Sequence, residues 1–83
     1  MVQLCYFSSL REALGTGDGQ VELPGEINDL AGLTSWRQSR NDTWRQALAD
    51  TRLHVAINHQ IVNTNVPVNN GDEITWFPPV TGG

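Results

Sequence analysis

Apolar residues along this chain follow two spacings, and the switches between them mark out its elements. Val2-Gln3-Leu4-Cys5-Tyr6-Phe7 alternates loosely with a period of two and is rich in strand formers, which predicts an opening β-strand. Ser9-Leu10-Arg11-Glu12 has the S-x-x-E spacing of a capping box, and Leu10, Ala13 and Leu14 follow at i, i+3 and i+4, with Gly15 as a natural stop. A short helix is expected there. Thr16 to Gly19 is a turn cluster, and Gln20-Val21-Glu22-Leu23 alternates as a second strand before Pro24-Gly25 ends it. Asn28 or Asp29 can cap a second helix whose apolar stripe runs through Ile27, Leu30, Ala31 and Thr34. The polar run from Ser35 to Asp42 is expected to break or loosen that helix. Trp44, Ala47 and Leu48 resume helical spacing, with Asp42 or Thr43 as cap.

The second half is strand-rich. Leu53 to Asn58 has a period of two, with Leu53, Val55 and Ile57 on one face and His54 on the other. Asn58-His59-Gln60 turns the chain into a short partner strand at Ile61-Val62. Residues 63–70 are polar and irregular around Pro67, Asn70-Gly71-Asp72 is a turn, and Glu73 to Phe77 is the last strand. Alternation puts Ile74 and Trp76 on one face, expected to meet the helices, and Thr75 and Phe77 on the other. The first and last strands are the most apolar, as central neighbours in a mixed sheet would be. The pattern predicts an α+β, β-grasp fold: about five strands with helices over one face, spanning residues 1–78. Pro78-Pro79 ends strand pairing, and residues 79–83 are expected to form a flexible C-terminal tail.

Composition narrows the function. A chain of 83 residues makes one domain with a modest core. Its net charge of −4 leaves no basic stripe for nucleic acid, and favours docking against basic protein surfaces. The five basic residues are all arginines, so the chain cannot build polymers on itself through lysine isopeptides. Apolar runs are too short to cross a membrane, and no basic leader precedes the first strand, so a cytoplasmic location is expected. The single cysteine, Cys5, lies in an apolar run and reads as a small structural hydrophobe. A relay thiol would need an electropositive setting that its neighbours do not supply.

Side-chain chemistry is sparse. His54 on a strand and His59 in a turn lack a third ligand at metal spacing, and Ser8-Ser9 lies in no nucleophile elbow. Gly15-x-Gly17-x-Gly19 follows a helix and opens none, unlike a phosphate loop. Asp72-Glu73, the one tight acidic pair late in the chain, is expected to be solvated in its turn. The side chains do not resemble those of an enzyme acting alone.

The terminal carboxylate of Gly83 remains. Gly82 and Gly83 remove side-chain bulk, so the end can enter a narrow slot. Extended, the segment from Pro79 to Gly83 reaches on the order of 16 Å. Such an end can be presented to a nucleotide-activating enzyme, made electrophilic as an acyl-adenylate, and then converted to a thiocarboxylate by a sulfur donor. A bare Gly-Gly can equally be an inert terminus, but Phe77-Pro78-Pro79-Val80 before it gives a stiff apolar stem suited to a docking surface.

The run from Gly71 to Gly83, with Phe77-Pro78-Pro79-Val80-Thr81-Gly82-Gly83 at its core, resembles the C-terminal signature of the molybdopterin synthase small-subunit family. Val55-Ala56-Ile57-Asn58 resembles the family's Val-Ala-Val-Asn strand, and Leu10-Arg11-Glu12-Ala13-Leu14-Gly15 its first helix. Residues 26–52 match only loosely, and Trp76 stands where the family commonly has Phe. The resemblance implies a ubiquitin-like fold whose tail, Thr81 and Gly82 included, inserts into the large synthase subunit. There a thiocarboxylate on Gly83 would donate sulfur to cyclic pyranopterin monophosphate, forming the dithiolene. Phe77, Pro78, Pro79 and Val80 would bind the partner. Recharging would need a ubiquitin-activating-like adenylating enzyme, ATP consumed by that enzyme, and a sulfur donor; no cofactor of the chain's own is implied. Related carriers for the thiamine thiazole, protein-conjugating modifiers and a binding module with an inert tail are the alternatives.

Overall fold

The computed structural model describes residues 1–78. Its elements are β1 (Val2–Tyr6), α1 (Ser9–Leu14), β2 (Asp18–Val21), α2 (Leu30–Gln38), α3 (Asp42–Ala47), β3 (His54–Ile57), β4 (Gln60–Val62) and β5 (Glu73–Phe77). The strands form one sheet in the order β2-β1-β5-β3-β4. β1 and β5 run parallel at its centre, with Leu4 opposite Ile74 and Tyr6 opposite Trp76; the other pairings are antiparallel. This is the mixed β-grasp arrangement that the apolar first and last strands predict.

Alternation on the central strands sorts the two faces. Val2, Leu4 and Tyr6 of β1 and Ile74 and Trp76 of β5 turn to the helices and are buried, with Leu10, Leu30, Leu33 and Trp44 packed over them. Tyr6 stacks on Trp76 (centroids 5.3 Å apart, planes at 10°) and meets Trp44 edge-on at 5.2 Å. Such pairs add roughly 0.5–1.5 kcal/mol each beyond the area they bury. Val55 and Ile57 sit opposite Trp76 and Ile74 and pack at the margin of the same core. The predicted facing of Ile74 and Trp76 therefore holds.

Local chemistry explains most boundaries. Gly15 closes α1 at a left-handed φ of 73°, its N–H donating to the Arg11 carbonyl at 3.0 Å. Asp29 caps α2 by accepting from the Gly32 N–H at 2.8 Å. Asn58 and His59, with φ of 52° and 69°, form the tight hairpin between β3 and β4, the backbone that such two-residue turns require.

Four expectations change. Ser9 heads no capping box: Phe7 still donates its N–H to the Trp76 carbonyl, so the reversal falls on Ser8 and Ser9 is already helical. The N-cap position is Ser8, whose side chain makes no capping bond. β2 starts two residues early, because the Tyr6 N–H bonds the Gly17 carbonyl (2.9 Å) and pairing with β1 begins immediately after it. Backbone pairing needs no hydrophobic pattern there. Ser35 to Gln38 stays helical, with Leu30, Leu33 and Arg37 as the buried stripe and Ala31 exposed, while Asn41 caps a separate α3 by accepting from the Trp44 N–H at 3.0 Å. Arg37, buried with its guanidinium over two indoles, takes the place of the apolar residue the pattern lacked. Finally, Asp72 is tied in place: its carboxylate accepts from the Asn69 N–H at 2.8 Å and the Asn58 amide at 2.9 Å.

The irregular stretch 63–70 is likewise anchored. Asn65 accepts from the Ala31 N–H at 2.8 Å and donates to Asp29 at 3.1 Å, adding a second cap to α2. The Val68 N–H bonds the Asn28 carbonyl, and Val68 is buried. The Asn65 amide and the Gly32 N–H hold the Asp29 carboxyl below the usual carboxylate range, so this cap's stabilisation is present above that range and lost as pH falls through the lowered value.

Ile74, fully buried between the central strands and the helices, sets the main stability prediction. Ile74→Ala should cost about 2–5 kcal/mol, read as a lowered urea midpoint at unchanged m-value. A cost below 1 kcal/mol, roughly that of a surface change, would contradict this core assignment.

Candidate functional site

The sheet face away from the helices is built by the other half of the alternation. Gln3 and Cys5 on β1, Glu73, Thr75 and Phe77 on β5, His54 and Ala56 on β3, and Ile61 on β4 share it by register. Phe77 lies at the end where β5 stops, while Ala56 and Ile61 are level with Thr75 at its middle. Phe77 pairs opposite His54, their rings 5.4 Å apart, which leaves Phe77 half-buried at the surface. Phe7 is brought beside it by its N–H bond to the Trp76 carbonyl (3.1 Å) and is 55% exposed. Ile61, opposite Ala56, is 68% exposed. Phe7 and Ile61, two of the three exposed large hydrophobic residues, thus lie on the open face with half-buried Phe77 between their strands.

Of the residues expected to work, Phe77 and Pro78 are described: Phe77 ends the central strand on the open face, and half-buried Pro78 follows it outside the ladder. Pro79, Val80, Thr81, Gly82 and Gly83 lie outside the described residues. The sequence reading missed Phe7 and Ile61. The signal was present, because the alternation that turns Val2, Leu4 and Tyr6 inward turns Phe7 outward, and Ile61 follows from the hairpin register.

Other candidates have structural roles. Cys5 is half-buried on the open face and not in the core, between Gln3 and Thr75. Burial pushes its thiol pKa up, and the nearby Glu73 carboxylate pushes it further. His59 is exposed in its turn, with Nε2 3.1 Å from Glu73. Among the described residues no three His, Cys, Asp or Glu side chains gather as metal ligands, and no helix is long and apolar enough to cross a membrane.

The likeness to known proteins runs the length of the chain. The model of the ThiS family matches residues 4–83. The molybdopterin synthase sulfur carrier subunit of Escherichia coli is 34% identical over 83 residues, covering all of both chains. That of Haemophilus influenzae is 37% identical over 86 residues, again covering both completely. Among solved structures, the complex of subunits 1 and 2 of the molybdopterin-converting factor from Helicobacter pylori contains a chain with the same fold. It is 24% identical, with a TM-score of 0.71 over 99% of this chain and 97% of that one.

The setting of Cys5 yields a pH prediction. A raised pKa lowers the thiolate fraction near neutrality, so iodoacetamide should alkylate folded chain more slowly than urea-unfolded chain at pH 8, with rates converging at higher pH. Faster alkylation of the folded chain would identify an activated thiol.

Proposed function

We propose that this chain, which belongs to the ThiS family, is the sulfur-carrier small subunit of a molybdopterin synthase, loaded and discharged at Gly83. The observation that carries this reading is the end-to-end likeness to two sulfur carrier subunits, which includes the final residues. The geometry supports it. Phe7, Ile61 and Phe77 give a docking face beside the end of β5, from which the chain continues into Pro78 and the terminal glycines.

The chemistry has two stages. An adenylating enzyme of the ubiquitin-activating type brings ATP; a Gly83 carboxylate oxygen attacks the α-phosphorus and pyrophosphate leaves. A sulfide equivalent then attacks the acyl carbon and expels AMP, leaving the thiocarboxylate. With the large synthase subunit, that sulfur attacks an oxygen-bearing side-chain carbon of the pterin precursor, cyclic pyranopterin monophosphate; the carbon–oxygen bond breaks with the oxygen as leaving group, and water then cleaves the acyl–sulfur bond to restore the carboxylate. Gly82 and Thr81 thread the end into each partner's slot, and residues 77–80 form the stem against which the partner closes. Hydrolysis returns the carrier unchanged, so one chain can cycle repeatedly.

Intact mass spectrometry tests the loading step. Incubation with ATP, activating enzyme and sulfide should produce a species heavier by one sulfur-for-oxygen exchange, mapped to the C-terminal peptide. Deletion of Gly83 should abolish it without moving the thermal midpoint, since the core lies between Val2 and Trp76. Unmodified carboxylate alone after that incubation would overturn the reading. Phe77→Ala should weaken capture of the large subunit by about tenfold or more, with a smaller effect on folding, because Phe77 faces away from the core. Unchanged capture, or a folding loss that exceeds the binding loss, would exclude the docking face.

A further inference from the structure

On the helix side of the sheet, away from the docking face, lies a polar pocket that the carrier chemistry does not use. Its cavity of about 280 Å³ has Leu4 and Tyr6 among its lining, with Trp44, Arg37 and Arg40 alongside and Gly19 of β2 on the opposite side. Arg37 is only 8% exposed, and its Nε–H is buried without an acceptor. The Tyr6 hydroxyl is also buried; it lies beside the Arg37 guanidinium but makes no hydrogen bond of good geometry. Burial raises the phenol's pKa, outweighing the opposing charge and polar contact of Arg37, and the neutral phenol keeps its proton to donate.

Burial sets Arg37 apart from the other arginines. Arg45 and Arg52 have carboxylate partners, Asp42 at 2.9 Å and Asp50 at 3.1 Å. Arg11, Arg37 and Arg40 have none within salt-bridge distance among the described residues, and of these three Arg37 alone is buried. Instead, Arg37 lies 5.2 Å from the Trp36 ring and 5.0 Å from that of Trp44, while Arg40 lies 4.7 Å from the same Trp44 ring. Indole faces orient a guanidinium and offset part of its charge, but accept no strong N–H bond in its plane. Asp18, the one acid on the lining, is paired opposite Cys5, the register position of the other sheet face.

We propose that this pocket binds a phosphate-class oxyanion, with Arg37 and Arg40 supplying charge and forked donors and the Tyr6 hydroxyl a third donor. An oxyanion with several acceptor oxygens satisfies all three groups at once, which a single carboxylate does less completely. The orphan donors supply the drive, since each leaves a buried polar group unsatisfied while the pocket is empty. Gly19 lines the pocket from β2: it pairs opposite Leu4, on the helix side, and a Cβ built there meets nothing within 4 Å, so a larger side chain has room to extend over the opening. The site is independent of the terminal carboxylate, so it can stand or fall separately from the sulfur-carrier reading.

The test is an NMR titration of the full chain with inorganic phosphate, pyrophosphate and ATP, at ionic strength held constant with chloride. Saturable downfield movement of the Arg37 Nε–H is expected, together with shifts at the Trp44 indole. Arg40→Gln and Gly19→Leu, one removing charge and the other filling the entrance, should each weaken binding about tenfold or more while preserving the folded spectrum. Equal affinity for pyrophosphate and ATP would identify a free oxyanion as the ligand. Tighter ATP binding through the same resonances would identify a nucleotide-borne phosphate. Equal shifts with acetate, non-saturating shifts, or titrations unaffected by both substitutions would overturn the proposal and leave Arg37 a purely structural residue.

Discussion

Everything in this domain hangs on the parallel pairing of its first and last strands. Joining β1 to β5 closes a loop that contains nearly the whole chain, and such a closure is entropically costly. The offset is concentrated at the seam, where Val2, Leu4, Tyr6, Ile74 and Trp76 are almost wholly buried. β2 then pairs with the free side of β1, and β3 with the free side of β5, carrying β4 outward. Because the central pair is parallel, the C-terminal ends of β1 and β5 emerge together. Phe7, the entry to α1 and the Phe77-Pro78 stem therefore share one end of the molecule.

Strand alternation lets one element serve two purposes without conflict. On β5, Ile74 and Trp76 hold the fold while Phe77 faces the other way, so recognition can change there with little effect on the core. The helix face is less purely apolar. Tyr6, Arg37 and Trp76 each bring a buried polar atom that the described residues leave unpartnered. For the Trp76 nitrogen, nothing in the structure supplies a compensating contact. For Tyr6 and Arg37, the adjoining cavity does offer room for a ligand.

Legibility in the sequence followed the range of the interactions. The central strands, the hairpin at Asn58-His59, the Gly15 stop and the Asp29 cap rest on nearest-neighbour chemistry, and each could be read from a few residues. β2 could not, since its start is set by where β1 offers free backbone groups, not by its own side chains. Nor could the length of α2. Its last turn is polar by composition, and only the packing of Arg37 between Trp36 and Trp44 makes it a buried face. The stretch 63–70 looked like loop for the same reason: Asn65 and Val68 find their partners on the far side of the chain, around Asn28 to Ala31. At the candidate site, Phe77 was visible through its motif, whereas Phe7 and Ile61 needed the register.

The location of the exposed apolar residues also constrains how such a carrier works. The proposed cycle has two partners, one to charge Gly83 and one to discharge it, yet one docking face adjoins the stem. In that cycle, partners that both dock beside the stem would share the surface around Phe7, Ile61 and Phe77, and occupancy by one would exclude the other. A carrier held too tightly by either would stall, so each affinity has to be limited by a small patch. Two exposed apolar side chains, Phe7 and Ile61, with half-buried Phe77 fit that requirement better than a broad hydrophobic face would. The Arg37 pocket lies apart from that surface, on the helix side of the sheet, with Leu4 and Tyr6 in its lining, so a ligand there need not compete for the open face.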